Sequence, residues 1–261
     1  MIREFYKMTW LDIKNIDKDK ACILLPIGSL EQHGPHLPLG TDDLILTNVM
    51  RGILKAESSR EKTDSRLHIG SGNEVLCLPP LLFGNSHEHY SFPGTVSLTC
   101  NTLVKIVEDI LASISEHGFK RLIVFNSHGG NTDLIKAYAQ EWEQHFSVKV
   151  YLISLWSGLY DDKNEDSIFV SDANVDIHAG ERETALLMHY DANLVKEDMI
   201  SADTTRDVKF KAYYTGWQTD EISTGNGTLG YPLYATAEKG EKYARFLVER
   251  TRELIYEILK E

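Results

Sequence analysis

The chain has 261 residues, 42% of them hydrophobic, and a formal net charge of −12. That acidity argues against nucleic acid or an anionic membrane as partner, because Lys and Arg must neutralise phosphates there, and points to small molecules or other proteins. The apolar content suffices for a sizeable core in one domain covering residues 1–261.

The N-terminus MIREFYKMTW lacks a basic segment followed by an apolar one, and no window approaches about 18 uninterrupted apolar residues. Neither a signal peptide nor a membrane span is expected. Cys22, Cys77 and Cys100 are far apart and lack CxxC spacing, which fits a reducing cytoplasm. The runs ACILLPIG (21–28), EVLCLPPLLFG (74–84), RLIVFN (121–126) and VKVYLISLW (148–156) read as buried strands that end in turn or polar signals. Leu103, Ile106, Val107, Ile110, Leu111 and Ile114 recur at helical spacing until His117-Gly118. Asn131-Thr132 is expected to cap a second helix, through LIKAYAQEW; residues 180–190 and 237–260 read as two more. The stretches ESSREKTDSR (57–66) and DDKNED (161–166) read as surface loops. Short apolar runs alternating with helical segments give an α/β protein with a mainly parallel sheet.

In open α/β sheets ligands bind beyond the carboxyl ends of the strands. EQHGPHLPLGTDD (31–43) follows the first strand run and NSHGGN (126–131) the third, so both are expected on one edge. Glu31, His33, Asp42 and His128 form a mixed oxygen and nitrogen set, which suits zinc, manganese or iron(II) better than calcium. Glu31 and His33 point the same way in extended backbone, and Gly34, Pro35, Pro38 and Gly40 fix the return to Asp42. The plainer alternative is a solvated His with Asp42 or Asp43 capping the helix at LILTNVM; His36 and Asp43 fall to capping or to orienting the ligands. In GNSHEHYSFPGTVSL (84–98), His87 and His89 share a face with Glu88 opposite, beside a rigid turn. In HAGERET (178–184), Glu181 and Glu183 fall in the first turn of a helix, where carboxylates favour the dipole whatever the function. TGNGTLGYP (224–232) is rich enough in glycine to cradle a ligand but does not follow a strand as a nucleotide loop must.

In order, PIGSLEQHGPHLPLGTD, SHEHYSFPGT, NSHGGN, HAGERET and GYPLYATAEKG resemble the creatininase (creatinine amidohydrolase) family, from about residue 10 to the last helix. The resemblance implies a three-layer α/β/α sandwich, a homo-oligomer (usually a hexamer), and two divalent ions per subunit, zinc first, then manganese or iron(II). It implies Glu31, His33, Asp42 and His128 as ligands, with Asp42 bridging, and His178 as a histidine that either supports the ligands or transfers a proton. Creatinine-hydrolysing members carry a glutamate where this chain has Gly130; Glu183 is then expected as the remaining ligand, as in relatives with the HGGN form.

Two cations about 3.5–4 Å apart can share a water, lower its pKa and polarise the carbonyl it attacks. The expected activity is therefore hydrolysis of a cyclic amide or another non-peptide C–N bond in a small polar molecule. C–C cleavage of a cyclic diketo polyol is the alternative enzyme, and a non-catalytic metal-binding or assembly protein the alternative class. Expected substrate contacts are His87, Glu88, His89, Trp156 and Asn226, with a core role for Trp156 as the competing reading.

Overall fold

β-Branched and leucine-rich runs become the strands of one sheet. The computed structural model describes residues 2–59, 73–156, 167–172, 175–201 and 216–261. Strands β1 (Ile2–Glu4), β2 (Ala21–Ile27), β3 (Glu74–Cys77), β4 (Arg121–Asn126) and β5 (Lys149–Ser154) pair in the order β1-β3-β2-β4-β5, every pair parallel. The helices are α1 (Trp10–Lys14), α2 (Thr41–Ser59), α3 (Cys100–Glu116), α4 (Gly129–Phe146), α5 (Glu181–Asp191), α6 (Thr219–Ile222) and α7 (Ala237–Ile258).

Period-two alternation assigns the two faces of the sheet. Cys22, Leu24, Ile123 and Phe125 pack with Ile45, Val49 and Ile53 of α2, Leu186 of α5 and Leu247 of α7. Ile23, Leu25, Leu122 and Val124 pack on the other face with Leu103, Val107 and Leu111 of α3 and Ile135 and Trp142 of α4. The result is the expected α/β/α arrangement, and each fully buried aliphatic contributes about 1.5–3 kcal/mol. The chain leaves β2 for one face and β4 for the other, so their adjacent carboxyl ends open the crevice where such sheets bind ligands.

Several boundaries differ from the sequence reading. The 74–84 run is a strand only to Cys77, because Pro79 and Pro80 have no N–H to give a ladder; Leu78 and Leu81 still donate to Leu24 and Pro26 at 2.8 and 2.9 Å. Edge strand β1, within MIREF, was missed. The second helix starts at Gly129, not at an Asn131 cap; Asn131 lies inside it, buried, donating to Gly28 and Asn126 and accepting from Asn85 N–H. Residues 57–59 continue α2 instead of opening a loop; residues 60–66 and 161–166 lie outside the described residues. Thr99 and Thr236 cap α3 and α7, accepting from the N–H of Thr102 and Lys239. Among the described residues no helix is long and apolar enough to cross a membrane.

Helix α7 approaches α5 closely at Gly240, where a Cβ would lie 1.9 Å from the carbonyl oxygen of Ala185. Gly240→Ala should therefore destabilise the protein by about 1–3 kcal/mol despite alanine's better helix propensity. Urea denaturation measures this, and an unchanged midpoint would contradict the close approach.

Candidate metal centre

Segments following four strands meet at the carboxyl edge. Glu31, His33 and Asp42 follow β2, Glu88 and His89 follow β3, His128 follows β4, and His178 and Glu183 come after β5. Glu31, Asp42 and His128 can bring one ligand atom each within 4.8 Å of one another, and so can His33, Asp42 and Glu183. The two triads share Asp42. A third grouping, Glu31, His33 and His178, meets the same criterion.

Backbone carbonyls decide which ring nitrogen of each histidine is bare. His128 Nε2–H donates to Asn85 O at 2.7 Å, which leaves Nδ1 facing Glu31 at 3.1 Å and Asp42 at 3.5 Å. His33 Nδ1–H donates to Glu31 O at 3.2 Å; its Nε2 then faces Glu183 at 3.7 Å and Asp42 at 3.9 Å. His178 Nε2–H donates to Gln32 O at 2.7 Å, so Nδ1 faces Glu31 at 3.7 Å. Metal-ligating imidazoles are commonly oriented by such a bond from the opposite nitrogen.

The donor set fits a cation. Among the described residues, His33 Nε2 and Asp42 Oδ2 are buried without a hydrogen-bond partner, an expensive state for polar atoms. Both face the shared centre.

Around these groups the loops are tightly tied. Gln32 donates through its amide to Gly227 O at 3.0 Å and to His89 Nδ1 at 2.9 Å, and accepts from Gly34 N–H at 2.9 Å. His89 Nε2–H then faces Glu31 at 3.3 Å, and the His89 and His178 rings stack at 4.1 Å. Thr219 Oγ1 donates to Glu88 O at 2.8 Å, anchoring the 87–89 turn to the start of α6. Ser29 donates to Glu31 Oε2 at 3.0 Å. His36 reaches Thr184 at 3.0 Å, joining the first loop to α5. Ala179, between His178 and the helix that carries Glu183, has φ 51°, and its N–H donates to Glu183 Oε2 at 2.5 Å.

Burial opposes charge throughout, and the neighbours decide the outcome. For Glu31, His128 and His89 outweigh burial and hold it well below the usual carboxylate range. Burial and then Glu31 push Asp42 up to about 7; burial and then Asp42 push Asp43 up to about 8. Burial resists charging of His33, but Glu183, Asp42 and Glu31 raise it to about 10. Burial, aided by the His33 charge, lowers His178 to about 4.

The family model described as creatinine amidohydrolase matches residues 6–255. The chain belongs to the creatininase family. It is an enzyme of this family of metal-dependent amidohydrolases. It is 28% identical to the mycofactocin precursor peptide peptidase of Mycolicibacterium smegmatis, over 84% of this chain and 78% of that one. With the creatinine amidohydrolase of Pseudomonas putida it shares 27% identity, over 96% and 95%. A solved manganese form of creatininase superposes with a TM-score of 0.77 at 24% identity, covering 99% of this chain and 100% of that one, and so shares the fold.

Among the sequence-derived candidates, Glu31, His33, Asp42, His128, Glu183 and His178 are brought together in this creatininase-family chain. His89 is buried against Glu31, inside the cluster and not at a rim. Glu88 lies 3.7 Å from His128, His87 is exposed beside Tyr90, and Asn226 caps its own turn by accepting from Thr228 N–H. Trp156 packs against the core and donates its indole N–H to Ser127 O. Glu181 stands apart, accepting from Ser171 and Lys239. Gln32, Ser29, Thr184 and Thr219 were missed; their signal was adjacency to motif residues, which does not distinguish partner from filler.

The pH response of chelator-stripped protein follows from these shifts. His33 binds its proton more tightly folded than unfolded, so the stability it contributes is complete below pH 6.5 and lost as pH rises to about 10. Asp42 and Asp43 act in the same direction up to about 7 and about 8. Metal-free protein should therefore lose thermal stability between pH 6.5 and 10, and added zinc or manganese should stabilise it more at the upper end. A metal-free melting temperature that rises across that window contradicts this charge balance.

Proposed function

We propose that the protein is a dinuclear hydrolase that cleaves an amide C–N bond of a small polar molecule. Glu31, Asp42 and His128 would hold one divalent ion and His33, Asp42 and Glu183 the other, with zinc the first choice and manganese or iron(II) next. The observation that carries this reading is the pair of buried, unpartnered donors His33 Nε2 and Asp42 Oδ2 between the two triads. When bound, two such ions acidify water and polarise a carbonyl.

The chain's own groups supply orientation and proton handling. His33 and His128 are held by backbone carbonyls with the unprotonated nitrogen inward. Burial lowers the His178 pKa and keeps its imidazole neutral near pH 7, and a cation held by His33 would act in the same direction. Its bare Nδ1 beside Glu31 can take a proton in one step and return it to the departing nitrogen in the next. Burial of the cluster excludes bulk water and strengthens each of these interactions.

The experiment is a turnover panel of creatinine, a formamidopyrimidine, short peptides and a keto-inositol, run with zinc, manganese and iron(II). Metal-dependent release of an amine supports the C–N reading, whereas cleavage of the keto-inositol alone moves the activity to C–C hydrolysis. Asp42→Ala should lose both ions by elemental analysis; retention of two equivalents removes its bridging role. His178→Ala should keep both ions while kcat falls about 10²–10⁴-fold, and a normal kcat removes the proton-transfer assignment.

A further inference from the structure

Glu88 is an acid at this centre whose place the shared ligand set does not explain. Its side chain is 21% exposed, against 1% for Glu31, 2% for Asp42 and 10% for Glu183, so of these four carboxylates it is the one best reached from outside. Its carboxylate lies 3.7 Å from His128 Nε2, but that nitrogen already donates to Asn85 O at 2.7 Å. Among the described residues, no donor beyond its own backbone N–H is hydrogen-bonded to it. A largely buried carboxylate without a proper donor is costly to keep.

The surroundings hold it in that position. Its carbonyl accepts from buried Thr219, and the adjacent His89 is fixed by Gln32 and Glu31. Gly130 gives it room: a Cβ there would lie 2.7 Å from Glu88 Oε1 and 2.4 Å from Asn85 O. Glu88 Oε1 thus lies beside the Nε2 side of the His128 ring, in the space that the glycine at the start of α4 leaves open.

We propose that Glu88 is a specificity-determining residue, whose carboxylate accepts an N–H group of the substrate seated at the ion pair. This rests on the hydrolase reading above and narrows it to substrates that present an amide, amino or amidine N–H beside the scissile carbonyl. Fully N-alkylated amides and nitrogen-free polyols are selected against. A buried acceptor left without its donor weakens binding by about ten- to a hundredfold.

The test uses the full-length, manganese- or zinc-loaded protein as wild type, Glu88→Gln and Glu88→Ala. Metal content is measured first, then Kd by calorimetry for creatinine, a formamidopyrimidine and a short peptide against 1,3-dimethylhydantoin, a five-membered cyclic imide with no N–H. KM and kcat follow for any compound turned over. The expected result is unchanged metal content and a wild-type preference for at least one N–H-bearing compound, which Glu88→Ala reduces tenfold or more, through KM more than kcat. Glu88→Gln, which keeps an acceptor oxygen, should retain part of that preference. Loss of an ion equivalent in Glu88→Gln, no wild-type preference for any N–H-bearing compound, or a preference that survives in Glu88→Ala each overturns the assignment. Preferential binding without turnover overturns the hydrolase reading and not the role of Glu88; turnover with an indifferent Glu88→Ala does the reverse.

Discussion

Everything at the carboxyl edge is organised around the burial of Glu31, Asp42 and Glu183 within reach of one another. Ionised carboxylates taken out of water cost several kcal/mol each unless opposite charge replaces the solvent. Protonated His33 and His128 replace it only in part: burial and Glu31 still push Asp42 toward neutrality, and His33 Nε2 and Asp42 Oδ2 stay unpartnered. Cations of higher charge at the two triads would meet the same demand without protonating the imidazoles. The arrangement is therefore better matched to ions than to protons.

Such a cluster requires a scaffold that resists its collapse. The sheet supplies it by sending β2 and β4 to opposite faces, which opens a crevice at fixed width between two strands in register from Ile23–Leu122 to Ile27–Asn126. His33, His128 and His178 are then each set by a backbone carbonyl, and the loops are tied to their neighbours: Gln32 to Gly227, His36 to Thr184, Glu88 to Thr219. The strain of Ala179 is tolerated where its amide meets Glu183. Disturbing one of these ties should reach the ions through ring orientation before it reaches the fold.

The sheet and its two faces were legible because apolar runs and helical spacing report burial directly. Boundaries were less so. Proline ended β3 inside a run that hydropathy alone extends, and Asn131 passed for a cap because its side chain is equally suited to a buried network. The first-loop donors were readable from residue type and from the position after a strand. The pairing of His33 with Glu183, 150 positions apart, had no local signal and entered only through family resemblance. Spacing groups His89 with His87 because extended backbone places the two on one face, whereas a short 3-10 turn sends them apart.

Gly130 and Glu183 are best understood together. The resemblance places a ligand glutamate at position 130 in creatinine-hydrolysing members, whereas here a side chain at that position would collide with Asn85 O and Glu88. Asn85 O also holds His128, so admitting a residue at 130 would disturb a ligand while adding one. A ligand carboxylate delivered from α5, as proposed for Glu183, would avoid that conflict and leave the space beside His128 to Glu88. On the proposed ligand set the same ion-binding demand would be met from another element, and the open position would become a place where substrates can be told apart.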